Sequence, residues 1–206
     1  IIPDGNIGLI PFETLLTEEY KGSIASFKEY PYLIKKYQIN YAYSAGLLVK
    51  NMKDNKSGKQ SNSWLGIAPV FENISNRNVN GINASELPGT KEEVKSIESL
   101  LKSKNYTTKS VLNNKATETF VTSSELKNYK YVHIATHGIV DTDKPKLSGL
   151  LLYDEGTNTI EVLYSGEIYN MELDADLAVL SACETGIGKV QKSEGIIGLS
   201  RSLLFA

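Results

Sequence analysis

The sequence predicts an α/β fold, a layered sandwich in which helices flank a mostly parallel central sheet. Several short segments are near-continuous apolar runs, which is typical of strands that are buried on both faces of a parallel sheet. These runs alternate along the chain with segments that have helical periodicity. The chain has 206 residues, of which 41% are hydrophobic and 22% charged, so it can bury a core of this kind.

The N-terminal quarter of the chain predicts small elements and a loop. Residues 3–6, "PDGN", are expected to be the turn of a hairpin, and Pro11 begins a helix-compatible segment. Residues 38–46 alternate and are rich in Tyr and Ile, which favours a strand. Residues 51–63 are polar and rich in helix and strand breakers, so we expect a surface loop there.

The remainder of the chain carries the expected sheet. A helix is predicted to begin with Thr90 as its N-cap and Glu93 completing a capping box, with an apolar stripe of Val94, Ile97, Leu100 and Leu101. Expected strands lie at 64–70, 107–112, 131–136, 149–154 and 176–182, and further helical segments near 116–127, 165–170 and 194–205.

Two of these strands end in reactive residues. "YVHIATHG" (131–138) holds both histidines of the chain, and "LAVLSACETG" (177–186) holds its only cysteine. In open α/β sheets, reactive groups collect beyond the carboxyl ends of the strands. A thiol becomes a useful nucleophile when a nearby base raises its thiolate fraction, and an imidazole titrates near neutrality. The pattern therefore predicts a catalytic dyad of Cys183 and His137.

Gly138 extends this prediction. Because glycine lacks a Cβ, its backbone N–H can approach a substrate closely. The N–H groups of Gly138 and Cys183 are expected to form an oxyanion hole. The competing interpretation is a structural pair, since a cysteine taken without its context is more often a small buried core residue.

His133 is interpreted as a core residue with a satisfied hydrogen bond. It lies inside the apolar run, on the strand face of His137 but about 13 Å from it, so the two cannot share a metal ion. The glutamate of an H-E-x-x-H zinc motif is absent. We therefore expect no metal and no cofactor. Acidic residues after the strands, such as Asp154, are interpreted as solvated, with a minority alternative in which one lines a pocket for a basic side chain.

Charge and composition indicate the setting of the domain. A net charge of −2 gives no electrostatic reason to expect nucleic acid as a partner, and the apolar runs are too short to cross a membrane. One unpaired cysteine favours a reducing compartment, so the expected location is the cytoplasm. The chain begins with Ile rather than Met, so we expect it to be a piece of a longer protein.

At "HIATHG" and "LSACETGIG…EGIIGLSRSLLFA" the chain resembles the CHAT family of caspase-like, clan CD cysteine peptidases. "IPDGNIGLIPFETLL" and "SGLLLYDEG" are similar to other landmarks of that family, and the matching segments run over residues 1–206. The resemblance implies one caspase-like domain, a three-layer sandwich. It implies His137 as general base, Cys183 as nucleophile, backbone N–H groups of Gly138 and Cys183 as the oxyanion hole, and endopeptidase cleavage of protein substrates through a thioester without a cofactor.

The resemblance also implies context and a point of difference. Such domains often follow helical repeats that sense a regulatory partner, and relatives continue past Ala206, so a fragment without N-terminal repeats and C-terminal strands is expected. Metacaspase-like relatives place Asp two residues before the catalytic Cys to select a basic residue. Here that position is Ser181, so the charge would have to come from Asp154 or Glu184. The alternative function is a catalytically silent caspase-like module for binding or signalling.

Overall fold

A computed structural model describes the chain from Ile1 to Ala206, except for residues 4–6, 8–9, 23–25, 43, 54–61, 75–76, 80, 142, 184–198, 200–201 and 204–205. The chain divides into two compact units, Ile1–Ser57 and Gly58–Ala206.

The first unit is built from short turns and one helix. Its 3-10 turns are Phe12–Thr14, Phe27–Glu29 and Leu33–Lys35, and its helix is α1 (Ala45–Lys53). The strand predicted over 38–46 is wrong, because its described residues form no strand and helix α1 begins within it. The Ser44 hydroxyl accepts a hydrogen bond from the backbone N–H of Leu47 (3.1 Å), and such a cap favours a helix over the alternation that predicted a strand. The turn of the predicted hairpin lies largely outside the described residues.

The second unit contains the sheet. Its strands are β1 (Ser63–Ala68), β2 (Asn78–Val79), β3 (Ile82–Asn83), β4 (Thr107–Leu112), β5 (Tyr131–Ile139), β6 (Gly149–Tyr153), β7 (Ile160–Tyr164) and β8 (Leu177–Cys183). Its helices are α2 (Pro88–Ser103), α3 (Glu118–Val121) and α4 (Ser165–Ile168). The segments predicted as strands after residue 63 are strands here, whereas β7 and the β2–β3 pair were not predicted. Most of the helix predicted over 194–205 lies outside the described residues.

The sheet is parallel at its centre and antiparallel at one side. Strands β4, β1, β5 and β8 are neighbours in that order and run parallel. At the carboxyl end of β5, its last two residues pair antiparallel with β6, which in turn pairs with β7. This architecture confirms the predicted α/β class with a mostly parallel central sheet flanked by helices.

The two faces of β5 contact different surroundings. Val132 and Ile134 are each 1% exposed and belong to a large aliphatic cluster, where burial of such a side chain contributes about 1.5–3 kcal/mol. Ala135, on the other face, packs in a cluster with Trp64 of β1 and Val94 of α2. His133 and His137 share this second face with Ala135, since alternate residues of a strand point to the same side.

Helix α2 begins three residues earlier than predicted, with Leu87 rather than Thr90 at the N-cap position. Pro88 occupies its first turn, where a fixed φ favours helix initiation. Thr90 lies inside the helix, and its hydroxyl donates to the carbonyl of Leu87 (2.7 Å), so the predicted capping box is wrong. Leu100 of the predicted apolar stripe is 60% exposed, whereas the other three positions pack toward the sheet. Glu93 is therefore not part of a cap.

Candidate active site

The parallel ladder between β5 and β8 brings the two candidate catalytic positions side by side. Its register runs from Tyr131 and Leu177 to its last pair, His137 and Cys183. Neighbouring strands are about 4.8 Å apart, so the backbones of His137 and Cys183 are adjacent. The prediction that these strand ends are neighbours is thus matched by the register, while the catalytic roles stay predictions.

The imidazole of His137 is buried and oriented by a backbone carbonyl. Its side chain belongs to a residue only 5% exposed, and its Nε2 lies 2.8 Å from the carbonyl oxygen of Ser85. Because a carbonyl only accepts hydrogen bonds, Nε2 carries the proton and donates it to Ser85. In the neutral ring the basic nitrogen is then Nδ1. The Ser85 hydroxyl oxygen lies 3.5 Å from the same Nε2.

An aromatic ring stacks on the face of the same imidazole. Phe71 is fully buried and stacks on His137, with ring centroids 5.7 Å apart and an angle of 17° between the planes. Tyr153 stacks on Phe71 in turn (5.6 Å), and its hydroxyl donates to the carbonyl of Glu72 (3.0 Å). The His137 ring is therefore fixed both at its edge and on its face.

The turn that carries Phe71 has an unusual backbone. Val70, Phe71 and Asn73 have φ values of 59°, 61° and 59°. A β-branched or bulky residue rarely adopts this left-handed region, and each such residue costs about 1–3 kcal/mol. The turn directly follows β1, so it joins β5 and β8 in contributing the carboxyl end of a parallel strand to this edge of the sheet. Phe71, like His137, lies where the carboxyl end of a parallel strand meets this edge of the sheet. It was not predicted, because a phenylalanine has no ionisable or nucleophilic group to mark it.

Packing does not demand a glycine at position 138. A Cβ at this position would lie 3.6 Å from the Cβ of Ala182 and 3.9 Å from Cδ1 of Leu199, which are ordinary contacts. Gly138 is registered with Leu150 of β6. Its role in an oxyanion hole stays a prediction.

The three residues predicted for a substrate pocket are not brought together among the described residues. Asp154 lies in the β6–β7 turn, where its N–H donates to the carbonyl of Thr159 (3.0 Å). Since β6 pairs with β5 only through Gly149 and Leu150, Asp154 lies at the far end of that strand. Glu184 lies outside the described residues. Ser181, by contrast, precedes Cys183 by two residues along β8.

Ser181 contacts a carboxylate that sequence reasoning assigned to a helix cap. Its hydroxyl donates to Oε2 of Glu93 (3.3 Å). The other oxygen of that carboxylate, Oε1, lies 3.0 Å from Nε2 of His133. This contact has the distance of an ion pair but not the angle of a hydrogen bond, and the buried Nε2 has no hydrogen-bond partner.

His133 is thus a buried core residue, as predicted, and the Glu93 carboxylate is its neighbour. It is 5% exposed, but its Nε2 lacks the satisfied hydrogen bond that was expected. Glu93 could have been found from its position one residue before Val94 and four before Ile97, which places it on the sheet-facing side of an amphipathic helix.

The described part of the chain offers no metal centre and no membrane span. Among the described residues, no three His, Cys, Asp or Glu side chains are grouped as ligands for a metal ion. No helix in the described ranges combines the length and apolarity needed to cross a bilayer.

The sheet and the two strand ends indicate the class of protein to which the chain belongs. A mostly parallel α/β sheet flanked by helices, with His-Gly and Cys at the ends of adjacent parallel strands, is compatible with a caspase-like fold. The family model of the CHAT domain matches residues 1–206, so the chain belongs to the CHAT domain family, which is caspase-like and of clan CD. The resemblance drawn from the motifs is confirmed. No curated protein matches the chain. The molecule is therefore a caspase-like, peptidase-related domain.

Proposed function

We propose that this domain is a cysteine endopeptidase that cleaves polypeptide substrates, with Cys183 as nucleophile and His137 as general base. The observation that carries the proposal is the β5–β8 register, which ends on the pair of His137 and Cys183. Membership of a caspase-like family supports the same reaction class.

The hydrogen bond to Ser85 supports a specific direction of proton transfer. With the Nε2 proton donated to the Ser85 carbonyl, Nδ1 of His137 takes the proton of the Cys183 thiol as sulfur adds to the scissile carbonyl carbon. The negative charge that develops on the carbonyl oxygen is accepted by the backbone N–H groups of Gly138 and Cys183.

The tetrahedral intermediate then collapses to an acyl-enzyme, which water hydrolyses in a second step. The C–N bond breaks, the imidazolium of His137 protonates the leaving amine, and an acyl thioester on Cys183 remains. A water molecule, deprotonated by His137, adds to the thioester carbonyl. The C–S bond breaks, the carboxylic acid leaves, and the thiol regains its proton, so no cofactor or metal takes part.

The ring contacts of His137 support a preorganised base. The stacked Phe71 and the Ser85 carbonyl restrict rotation of the imidazole about its side-chain bonds. A base held in one orientation loses no rotational freedom when the thiol approaches, which lowers the barrier of the proton transfer.

The decisive experiment compares the wild-type full-length protein with Cys183→Ala. We expect the wild type to cleave members of a peptide library and to be labelled by a thiol-reactive acyloxymethyl ketone, and the variant to do neither. Equal behaviour of the two proteins in both assays would overturn the peptidase and leave the catalytically silent binding module as the function of the domain.

A further inference from the structure

Three polar side chains lie together on the α2-facing side of the sheet, outside the proposed dyad. They are Glu93 of α2, His133 of β5 and Ser181 of β8, here called the Glu93 cluster. The Glu93 carboxylate joins them, with one oxygen 3.3 Å from the Ser181 hydroxyl and the other 3.0 Å from Nε2 of His133.

The Glu93 cluster is polar, partly buried and unsatisfied. The His133 side chain is only 7% exposed, and its Nε2 is buried without a hydrogen-bond partner. The side chain of Glu93 is 36% exposed, so the carboxylate is reachable from solvent. Among the residues that the structure describes, no Lys or Arg lies within ion-pair distance of it. A partly desolvated carboxylate without a cationic partner attracts a cation that can reach it.

The cluster lies next to the position at which a substrate would react. Ser181 is two residues before Cys183, a separation of about 6.6 Å along β8. Toward the start of β8, Val179 and Leu177 are 39% and 53% exposed. A carboxylate at this distance from the reacting position suits a side chain that is long and positively charged at its tip.

We propose that the Glu93 cluster is a subsite that binds a lysine or arginine side chain of the polypeptide substrate, with Glu93 as the residue that determines specificity. This proposal rests on the peptidase function proposed above. The carboxylate accepts charge-assisted hydrogen bonds from the basic side chain. The Ser181 hydroxyl and the buried His133 ring orient the carboxylate. An acidic side chain at the same place would be repelled.

The test compares N-acetylated fluorogenic peptides that differ in a single residue. Each pair carries arginine or its neutral isostere citrulline, placed in turn at the positions flanking the scissile bond. Acetylation removes the α-ammonium group as a competing cation. For wild-type full-length protein we expect kcat/KM to be at least about tenfold higher for arginine at one position, because a hydrogen bond to a charged group is strong.

Two variants on helix α2 test whether Glu93 causes the preference for arginine. In Glu93→Gln the ratio should fall to less than about twofold, because the carboxylate charge is lost while the shape is kept. Glu98→Gln is the matched control, since Glu98 also accepts a hydrogen bond from a strand serine, Ser110 (2.8 Å), but pairs with Lys102. That variant should retain the wild-type ratio. Thermal unfolding of all three proteins identifies any variant that has lost its fold.

A binding measurement separates failure of the subsite from failure of the peptidase. The same peptide pairs are titrated into Cys183→Ala, with and without Glu93→Gln, and the ratio of Kd values is compared. Tighter, Glu93-dependent binding of arginine without any cleavage by the wild type would keep the subsite and reject the peptidase. Cleavage of both peptides with equal efficiency would reject the subsite alone, as would a preference that survives in Glu93→Gln.

Discussion

The two histidines lie four residues apart on the same face of β5, yet their surroundings differ in kind. His137, at the carboxyl end of the strand, has a carbonyl oxygen at 2.8 Å and a stacked phenylalanine ring. His133, in the middle of the strand, faces the carboxylate of Glu93 at 3.0 Å. Both residues are 5% exposed, so burial alone does not distinguish them.

The difference shows that the position of a residue along a parallel strand determines which other elements can contact its side chain. At the carboxyl end, the backbone leaves the ladder and the turn after β1 supplies Phe71, so several elements converge on one ring. In the middle of the strand, the side chain contacts Glu93 of α2 and lies near the ring of Trp64 on β1, with ring centroids 6.5 Å apart. The proposed general base is at the end position, and the proposed charge-binding cluster is at the middle position.

The largest effect is expected when each histidine is replaced by asparagine. His137→Asn should lower kcat/KM by about 10³-fold or more, because the proposed general base is removed. His133→Asn should lower it by less than about tenfold, because only the orientation of Glu93 is affected. Peptide cleavage by the full-length proteins, with circular dichroism as the control for folding, measures both values. A similar loss in the two variants would contradict the division of roles.

Ile134 lies between the two histidines but faces the opposite, aliphatic side of the sheet. Ile134→Ala should lower the free energy of unfolding by about 2–4 kcal/mol, because it leaves a cavity in a close-packed core. The pH dependence of kcat should not change. Urea denaturation measures the stability, and Val179→Ala, at an exposed position of β8, is the control with an expected change below about 0.5 kcal/mol. A shift in the pH dependence of kcat for Ile134→Ala would contradict this prediction, because it would show that the aliphatic face of the sheet affects catalysis.

Phe71→Leu tests the stacked ring at the His137 end. Loss of the stacked face should lower kcat by about 3–10-fold with little change in KM, because the imidazole loses a fixed neighbour. Phe120→Leu replaces an aromatic residue packed on the aliphatic cluster away from both histidines and is the control. An unchanged kcat in Phe71→Leu would reduce Phe71 to a packing role.

The smallest effect is expected at a carboxyl group that touches neither histidine. Burial raises the pKa of Glu118, and the nearby carboxylates of Glu167 and Glu161 raise it further. A raised folded-state pKa means that ionisation costs stability once the pH exceeds the unfolded value of about 4.3. Glu118→Gln should therefore raise Tm at pH 7 by about 1–2 °C, after allowance for solvent screening.

The gain in Glu118→Gln should disappear below about pH 4, where the carboxyl is protonated in both states. Thermal unfolding followed at several pH values measures it. A gain that persists at low pH would assign the effect to something other than charge.

Local pattern in the sequence was informative where a segment is buried on both faces. The apolar runs after residue 63 predicted strands correctly, and the polar residues that end two of them predicted which residues meet at one edge of the sheet. The pattern was less informative in the first unit, where Ser44 caps a helix inside a stretch whose alternation predicted a strand. A side-chain cap is a single contact, so the periodicity of the hydrophobic residues gives no sign of it.

Membership of the α/β class, the order of the strands along the chain and the residue types at the ends of β5 and β8 followed from the amino-acid sequence alone, because strand burial and turn chemistry are local properties. The partners of those residues depended on tertiary structure. Ser85, Phe71 and Glu93 are 52, 66 and 40 positions from the histidines that they contact, and only the packing of α2 and of the turn after β1 against the sheet brings them there. A contact between distant segments depends on how whole elements pack, and no periodicity within either segment encodes it.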